Sequence, residues 1–339
     1  MSKTHAPVRP LALTMGEPAG VGGDIMLKSW LRREEGLPPF FAIDDPERLS
    51  ALAKTLKLNV PVREIEAPEE ALTHFPEHVP VLRESLSAPN TPGRPNSDNA
   101  KHVIRSIERA VALTQSGEAA AVVTNPIAKD ALYGAGFEFP GHTEFLAHLS
   151  GDKKPVMMLA CDKLRVVLAT VHVSVRDAAE QLNTNTICDV ARITHAALKR
   201  DFAIPEPTIA VAGLNPHAGE GGAMGHEEID IIRPAIERLR AEGIDAQGPY
   251  PPDTMFTAKA LPTYDAALCM YHDQGLIPLK TLDFERGVNA TLGLDFVRTS
   301  PDHGTAFDIA GTGQASEKSL MAALKMAADM SQTRVQRTT

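Results

Sequence analysis

A series of short, almost wholly apolar runs constrains this chain more than any other feature of it. They are LALTM (11–15), FFAI (40–43), AAVVT (120–124), PVMMLA (155–160), LRVVLATV (164–171), TIAVAG (208–213) and DAALCMY (265–271). Each has the length of a strand and no polar face, so each must be covered on both sides. Helical patterns lie between many of them. Residues 97–117 offer Ser97 as an N-cap, Val103, Ile107, Ala110, Val111 and Thr114 along one face, and Gly117 as a stop. HEEIDIIRPAIERLRAEG (226–243) behaves likewise, with acids in its first turn and Gly243 at its end. Buried strands alternating with helices predict an α/β fold on a mainly parallel sheet.

With 339 residues, 43% hydrophobic and 23% charged, the chain is long enough for two lobes. The Pro-rich stretch 86–98 reads as a surface loop or a crossing between them. A net charge of -9 argues against a nucleic-acid or anionic-membrane partner, both of which need a basic surface. Cys161, Cys188 and Cys269 are odd in number and form no C-x-x-C pair, which fits a reducing cytoplasm. No apolar run nears the ~18 residues of a membrane span, and the opening MSKTHAPVRPLALTMG lacks the apolar core of a secretion signal.

In sheets of this kind chemistry gathers where the carboxyl ends of strands meet the following loops. Three histidines fall there: His172 after LRVVLATV, His217 after TIAVAG, and His272 after DAALCMY. Together they would make an open metal site of neutral nitrogen donors, suited to zinc, cobalt, nickel or iron and leaving room for substrate. Taken singly, each is as readily a polar loop residue with no ligand. Lys280, Asn289 and Arg298 make a clamp for phosphate or carboxylate, or else ordinary surface polarity. GHTEF (141–145) sets His142 and Thr143 where they could donate to substrate oxygens, although Thr143 also suits an N-cap. TMGEPAGVGGD (14–24) could turn backbone N–H groups to an anion, but its spacing is not that of a dinucleotide fingerprint. His195, inside a helical pattern, and His226, at a helix start, read as structural.

Taken together, TMGEPAGVGGD, TNPIAK, GHTEF, GLNPHAGEGGAMGHEEID, PPDTMF, MYHDQGLIPLK and RGVNATLGLDFVRTSPDHGTAFDIAGTG resemble the 4-hydroxythreonine-4-phosphate dehydrogenases of vitamin B6 biosynthesis, over roughly residues 10–330. The resemblance implies an isocitrate/isopropylmalate dehydrogenase-like fold: two α/β lobes with a cleft between them, in a homodimer whose active sites draw on both subunits. We expect residues 1–145 with 300–339 in one lobe and 146–299 in the other. By motif it makes His172, His217 and His272 ligands of a divalent metal (zinc, or alternatively cobalt, magnesium or manganese). His142, Thr143, Lys280, Asn289 and Arg298 become contacts to a phosphorylated small-molecule substrate. The segment DHGTAFDIAGTG (302–313) is similar to the loop with which β-decarboxylating dehydrogenases hold the adenosine of NAD or NADP, which points to His303, Gly304, Thr305, Ala306 and Asp308. Lys129 and Asp253 are candidates to move protons, or else a helix-surface lysine and an N-cap aspartate.

The implied reaction is oxidation of the C3 alcohol of 4-phosphooxy-L-threonine followed by decarboxylation. Close alternatives are 4-phospho-D-threonate or erythronate, or a carboxylated cyclic diol. A phosphate acyltransferase on a similar scaffold is more remote, having no use for three clustered histidines. A non-catalytic scaffold would need neither the anion clamp nor an adenosine loop.

Overall fold

A computed structural model of the chain describes residues 9–134 and 136–338, with side chains as far as Gln336. The first eight residues, part of the stretch read above for a secretion signal, lie outside the described residues, as do Ala135 and Thr339 of the expected lobes. The chain opens with β1 (Leu11–Thr14), α1 (Gly22–Leu31), β2 (Phe40–Asp44), α2 (Pro46–Thr55), β3 (Val62–Ile65), α3 (Glu70–His74) and β4 (Val79–Arg83). There follow α4 (Ala100–Gln115), β5 (Val122–Val123), α5 (Lys129–Tyr133) and α6 (His142–Leu149). Next come β6 (Val156–Cys161), β7 (Leu164–Leu168), α7 (Val175–Gln181), α8 (Thr184–Asp201), β8 (Thr208–Ala212), α9 (Arg233–Ala241), β9 (Asp245–Tyr250) and α10 (Pro252–Met255). The chain closes with β10 (Ala266–Cys269), α11 (His272–Leu282), β11 (Val288–Leu292), β12 (Arg298–Pro301) and α12 (Lys318–Thr338).

The contacts divide the chain into one unit of residues 1–154 and 294–339 and a second of 155–293. These divisions fall later and earlier, respectively, than the boundaries expected at 145/146 and 299/300. The reason is packing. Phe145, Leu146 and Ala147 lie in the middle of α6, and with Leu294 and Phe296 they are buried in the first unit's core.

In the first unit the strands run in the order β3-β4-β2-β1-β5-β12, and the pairs are all parallel. Leu11, Ala12 and Leu13 of β1 are at most 1% exposed, as strands with no polar face require. The periodicity of residues 97–117 becomes α4, whose Val103, Ile107, Ala110 and Val111 enter the core. Its entry differs from expectation. Asn96, not Ser97, accepts a backbone N–H, that of Asp98, and a short 3-10 turn (Ser97–Asn99) precedes the helix.

In the second unit the order is β11-β6-β7-β10-β8-β9. Here the sheet is mixed. β6 and β7 form an antiparallel hairpin with Cys161 opposite Leu164, and β11 runs antiparallel to β6. Only Asp162 and Lys163 separate the two runs, too few residues for the crossover that a parallel pair needs. From β7 onward the sheet is parallel, so β7, β10 and β8, adjacent in that order, end at the same pole. Among the described residues, no helix is long and apolar enough to cross a membrane.

Candidate functional site

At that pole the strand ends carry the histidines. Beyond β7 the pairing with the β10 strand continues through Ala169 N–H to Cys269 O (2.8 Å), Thr170 N–H to Met270 O (3.2 Å) and the Thr170 hydroxyl to Met270 O (2.8 Å). These bonds carry the two chains out of the sheet in step. His172 and His272 therefore emerge side by side, with ring centroids 5.8 Å apart. Nδ1 of His272 pairs with Asp273 Oδ1 at 2.7 Å, an arrangement that orients the ring and leaves Nε2 to face a ligand. The two rings line a surface cavity of about 230 Å³ with Tyr271 and Asp273.

His217 follows β8, the next strand over, in a turn over Pro216–Gly222 whose residues 217 to 221 all have positive φ. His217 (φ 52°), Ala218 (49°) and Glu220 (43°) are not glycine, and each such residue costs about 1–2 kcal/mol in the left-handed region. A turn this unfavourable persists only where its surroundings hold it. Among the described residues, no three His, Cys, Asp or Glu groups stand close enough to hold a metal ion as they are. The donor chemistry nevertheless suits one: two adjacent imidazoles, one already oriented by a carboxylate, and a third on the neighbouring strand end.

The other second-unit candidates are spread over separate elements. Lys280 sits in the last turn of α11 with its ammonium 5.6 Å over the Phe284 ring. Asn289 lies on β11 opposite Leu159, and its Oδ1 is buried with no hydrogen-bond partner. Such an acceptor costs about 1–3 kcal/mol unless a ligand satisfies it. Asp253 is exposed inside α10, past the N-cap position, so it does not cap that helix.

In the first unit the charges of Arg298 and Lys129 act on His142. Arg298, 3% exposed on β12, donates from Nε (3.2 Å) and from a terminal nitrogen (2.7 Å) to the hydroxyl of Thr124. Burial pushes its pKa down to about 10, so it remains a cation at neutral pH. His142 opens α6, with Nε2 buried and lacking a partner. Burial, then the charges of Arg298 and Lys129, hold its imidazole well below the ordinary value of 6.5. Thr143 is in the first turn of α6, where Gly141 occupies the cap, so the N-cap role considered for it is not observed. Lys129 is exposed at the start of α5.

Residues 302–313 fold as a loop tied to α1. Gly311 N–H donates to Asp24 Oδ1 (2.9 Å), Val21 N–H to Thr305 O (3.0 Å), and the Lys28 ammonium to Gly313 O (3.2 Å) and Ala315 O. His303, Gly304 and Asp308 are exposed on it, and Ala306 takes a φ of 43°. The glycine-rich entry to α1 does not present the free donors that its composition allows. N–H groups of Glu17, Ala19, Gly20 and Val21 go to Pro126 O, the Glu17 carboxylate, Glu17 O and Thr305 O. Gly16 (φ 67°) is needed because a Cβ there would lie 2.5 Å from that of Asn125.

Two participants have no marking in the sequence. Thr124 looks like the polar end of an apolar run, and Glu228 like an acid in the first turn of a helix. Only the fold puts the first against Arg298 and the second beneath the His217 turn.

The fold thus defines a two-unit α/β protein; its first unit carries a buried arginine and a neutral imidazole, and its second unit, taken by itself, carries histidines at one strand pole. Within that class, the model of the family described as "Pyridoxal phosphate biosynthetic protein PdxA" matches residues 37–327, and the chain belongs to that family. It is 52% identical to the 4-hydroxythreonine-4-phosphate dehydrogenase of Bradyrhizobium diazoefficiens over 339 residues, covering 96% of this chain and 98% of that one. The crystal structure of the Klebsiella pneumoniae enzyme of the same name matches with a TM-score of 0.87 at 40% identity, covering 97% of this chain and all of that one (100%). A terephthalate 1,2-cis-dihydrodiol dehydrogenase from Burkholderia xenovorans LB400 matches with a TM-score of 0.64 at 26% identity, covering 95% and 98%. The expected family and α/β class are both borne out.

Proposed function

We propose that the chain is an NAD(P)-linked, metal-dependent 4-hydroxythreonine-4-phosphate dehydrogenase of pyridoxal phosphate biosynthesis. NAD or NADP, when bound, would supply the hydride acceptor for oxidation of the C3 alcohol of 4-phosphooxy-L-threonine, whose hydroxyl proton goes to a base. The β-keto acid so formed loses carbon dioxide, and the enol left behind is protonated at carbon to give 3-amino-2-oxopropyl phosphate. The observation that carries the reading is the first-unit group in a chain 52% identical to an enzyme of that name: a buried guanidinium anchored by Thr124, beside an imidazole kept neutral.

We assign Arg298, Lys280 and Asn289 to the substrate's anionic groups and His142 and Thr143 to its remaining oxygens and nitrogen. His142, being neutral, can both donate and accept. His172, His217 and His272 would hold the metal, which when bound supplies Lewis acidity to the alcohol oxygen. Imidazole donors favour zinc, with cobalt, magnesium or manganese as alternatives. Lys129 and Asp253 are assigned to proton transfer. His303, Gly304, Thr305, Ala306 and Asp308 are assigned to the adenosine end of NAD or NADP, an assignment supported by the exposure of His303, Gly304 and Asp308 on a loop pinned from behind by Asp24 and Lys28. We further propose a homodimer whose active sites draw on both subunits, which the exposed apolar residues of the second unit support, and a cytoplasmic location, which three free cysteines support. No nucleic-acid or membrane partner is proposed.

A second reading, oxidation of a carboxylated cyclic diol, is favoured by the likeness to the terephthalate diol dehydrogenase. Nicotinamide reduction should be followed by absorbance with 4-phosphooxy-L-threonine, 4-phospho-D-threonate, 4-phospho-D-erythronate and such a diol, each with NAD and NADP, before and after chelation. The highest kcat/KM is expected on 4-phosphooxy-L-threonine, lost on chelation and restored by zinc or cobalt. A preference for the diol would install the second reading, and full turnover in metal-free protein would remove the histidine assignment.

A further inference from the structure

The His217 turn is the least favourable backbone at the imidazole pole; the buried carboxylate of Glu228 holds its entry, and Glu227 Oε2 also accepts from the Asn215 side-chain amide at 2.6 Å. Glu228, 1% exposed, opens a wide π-type turn over Glu228–Ile232 ahead of α9. Its Oε1 accepts the N–H groups of Leu214 and Asn215, each at 2.7 Å, and its Oε2 accepts from the Asn215 side-chain amide at 3.0 Å. Oε2 also lies where a Cβ on Gly219 would be, 2.5 Å from it, so the turn closes over the carboxylate only because residue 219 is glycine. On the other side Gln274 donates to Gly213 O at 2.7 Å and accepts Met270 N–H at 2.7 Å. That residue sits two positions beyond His272 and is 7% exposed. Hydrogen bonds of Gln274 and Glu228, meeting at the Gly213–Leu214 peptide, thus link the strand end bearing His272 to the entry of the turn bearing His217.

We propose that Glu228 is a positioning residue for metal binding: through the backbone of residues 213–219 it fixes the turn from which His217 would be presented to a cation. This rests on the three-histidine reading above. Both carboxylate oxygens must be acceptors, since three donors converge on them. Glutamine keeps the shape but turns an NH2 group towards either the two backbone N–H groups or the Asn215 amide, and donors facing one another push the turn away. Groups hydrogen-bonded to a metal ligand typically change affinity by about 10–100-fold, and Glu228, which acts through the backbone of residues 214 and 215, is expected at the low end of that range.

Full-length wild type, Glu228→Gln and His217→Ala should be freed of metal and titrated with Co2+ and with Zn2+ alone. Calorimetry and the visible Co2+ spectrum report binding, and circular dichroism melts report folding. The expected result is Co2+ binding by wild type, and at least about ten-fold weaker binding with an altered spectrum in Glu228→Gln, whose melt stays cooperative. A purely structural role would lower the melting temperature and leave the affinity of the folded protein unchanged; that outcome overturns the proposal and spares the metal reading. Wild type that takes up neither ion, or His217→Ala that binds as tightly as wild type, overturns the metal reading and this proposal with it. If Glu228→Gln does not fold, Asn215→Ser removes a donor from the same carboxylate and is judged by the same outcomes.

Discussion

Burial acts on Arg298 and His142 in one direction, against the charged form, and produces opposite results. Arginine starts so high that a value of about 10 leaves it charged, whereas histidine falls well below 6.5 and is neutral. A cation next to a neutral imidazole suits an anion that must also be hydrogen-bonded. The shift of His142 has a consequence for stability. In the unfolded chain it titrates near 6.5, while in the folded chain it resists protonation until much lower pH. As pH falls below 6.5 the unfolded state therefore gains protons that the folded state does not, and stability present at neutral pH is lost. The wild-type stability curve should fall more steeply below that pH than the curve of His142→Asn, by up to about 1.4 kcal/mol per pH unit for one proton. Parallel curves in denaturant titrations across the acid range would show that His142 is not buried as described.

The elements show where pattern reading succeeds. α4 is visible in its periodicity, and the apolar runs all become strands or their extensions, because the spacing of apolar residues is set by the geometry of the element that buries them. The β6–β7 hairpin departs from the expected parallel pairing, and the two-residue polar stretch between its runs is the signal that would have revealed it. α11 shows what pattern cannot report. Gly275 reads as a weak point in a helix, yet a Cβ there would lie 2.3 Å from Val166 Cγ1 and 3.1 Å from Leu168 Cδ2. Alanine gains about 1 kcal/mol of helix propensity, but overpacking costs about 1–3 kcal/mol, and at 2.3 Å the second effect wins. Gly275→Ala should lower the melting temperature by several degrees, and by lifting the first turn of α11 off β7 it should also weaken Co2+ binding through His272. An unchanged or raised melting temperature would mean that the helix can move outward freely.

For the whole molecule, the first unit is discontinuous in sequence. β12 and α12 return to it, as the pairing of Arg298 with Val122 and the bond from the Thr299 hydroxyl to Ala323 O make clear. This return brings Arg298 to Thr124 across a gap of 174 residues. Phe284 (77% exposed), Val175 (69%) and Ile277 (63%) stand out on the second unit, and surface apolar groups of this size mark an interface when they gather. Under the proposed dimer, sedimentation should give twice the chain mass, and Ile277→Asp with Phe284→Asp should give the single chain mass. A wild-type monomer at micromolar concentration would remove the dimer.

The α/β class, the strands, the positions of three histidines at strand ends and the family were all determined by the sequence, because burial patterns and motif residues are local properties that survive without coordinates. Four things were decided only by the tertiary structure: the neutrality of His142, the anchoring of Arg298 on Thr124, the spent donors of the glycine-rich entry to α1, and the carboxylate of Glu228 beneath the His217 turn. Each depends on desolvation or on hydrogen bonds between segments far apart in the chain, and those exist only once the chain has folded.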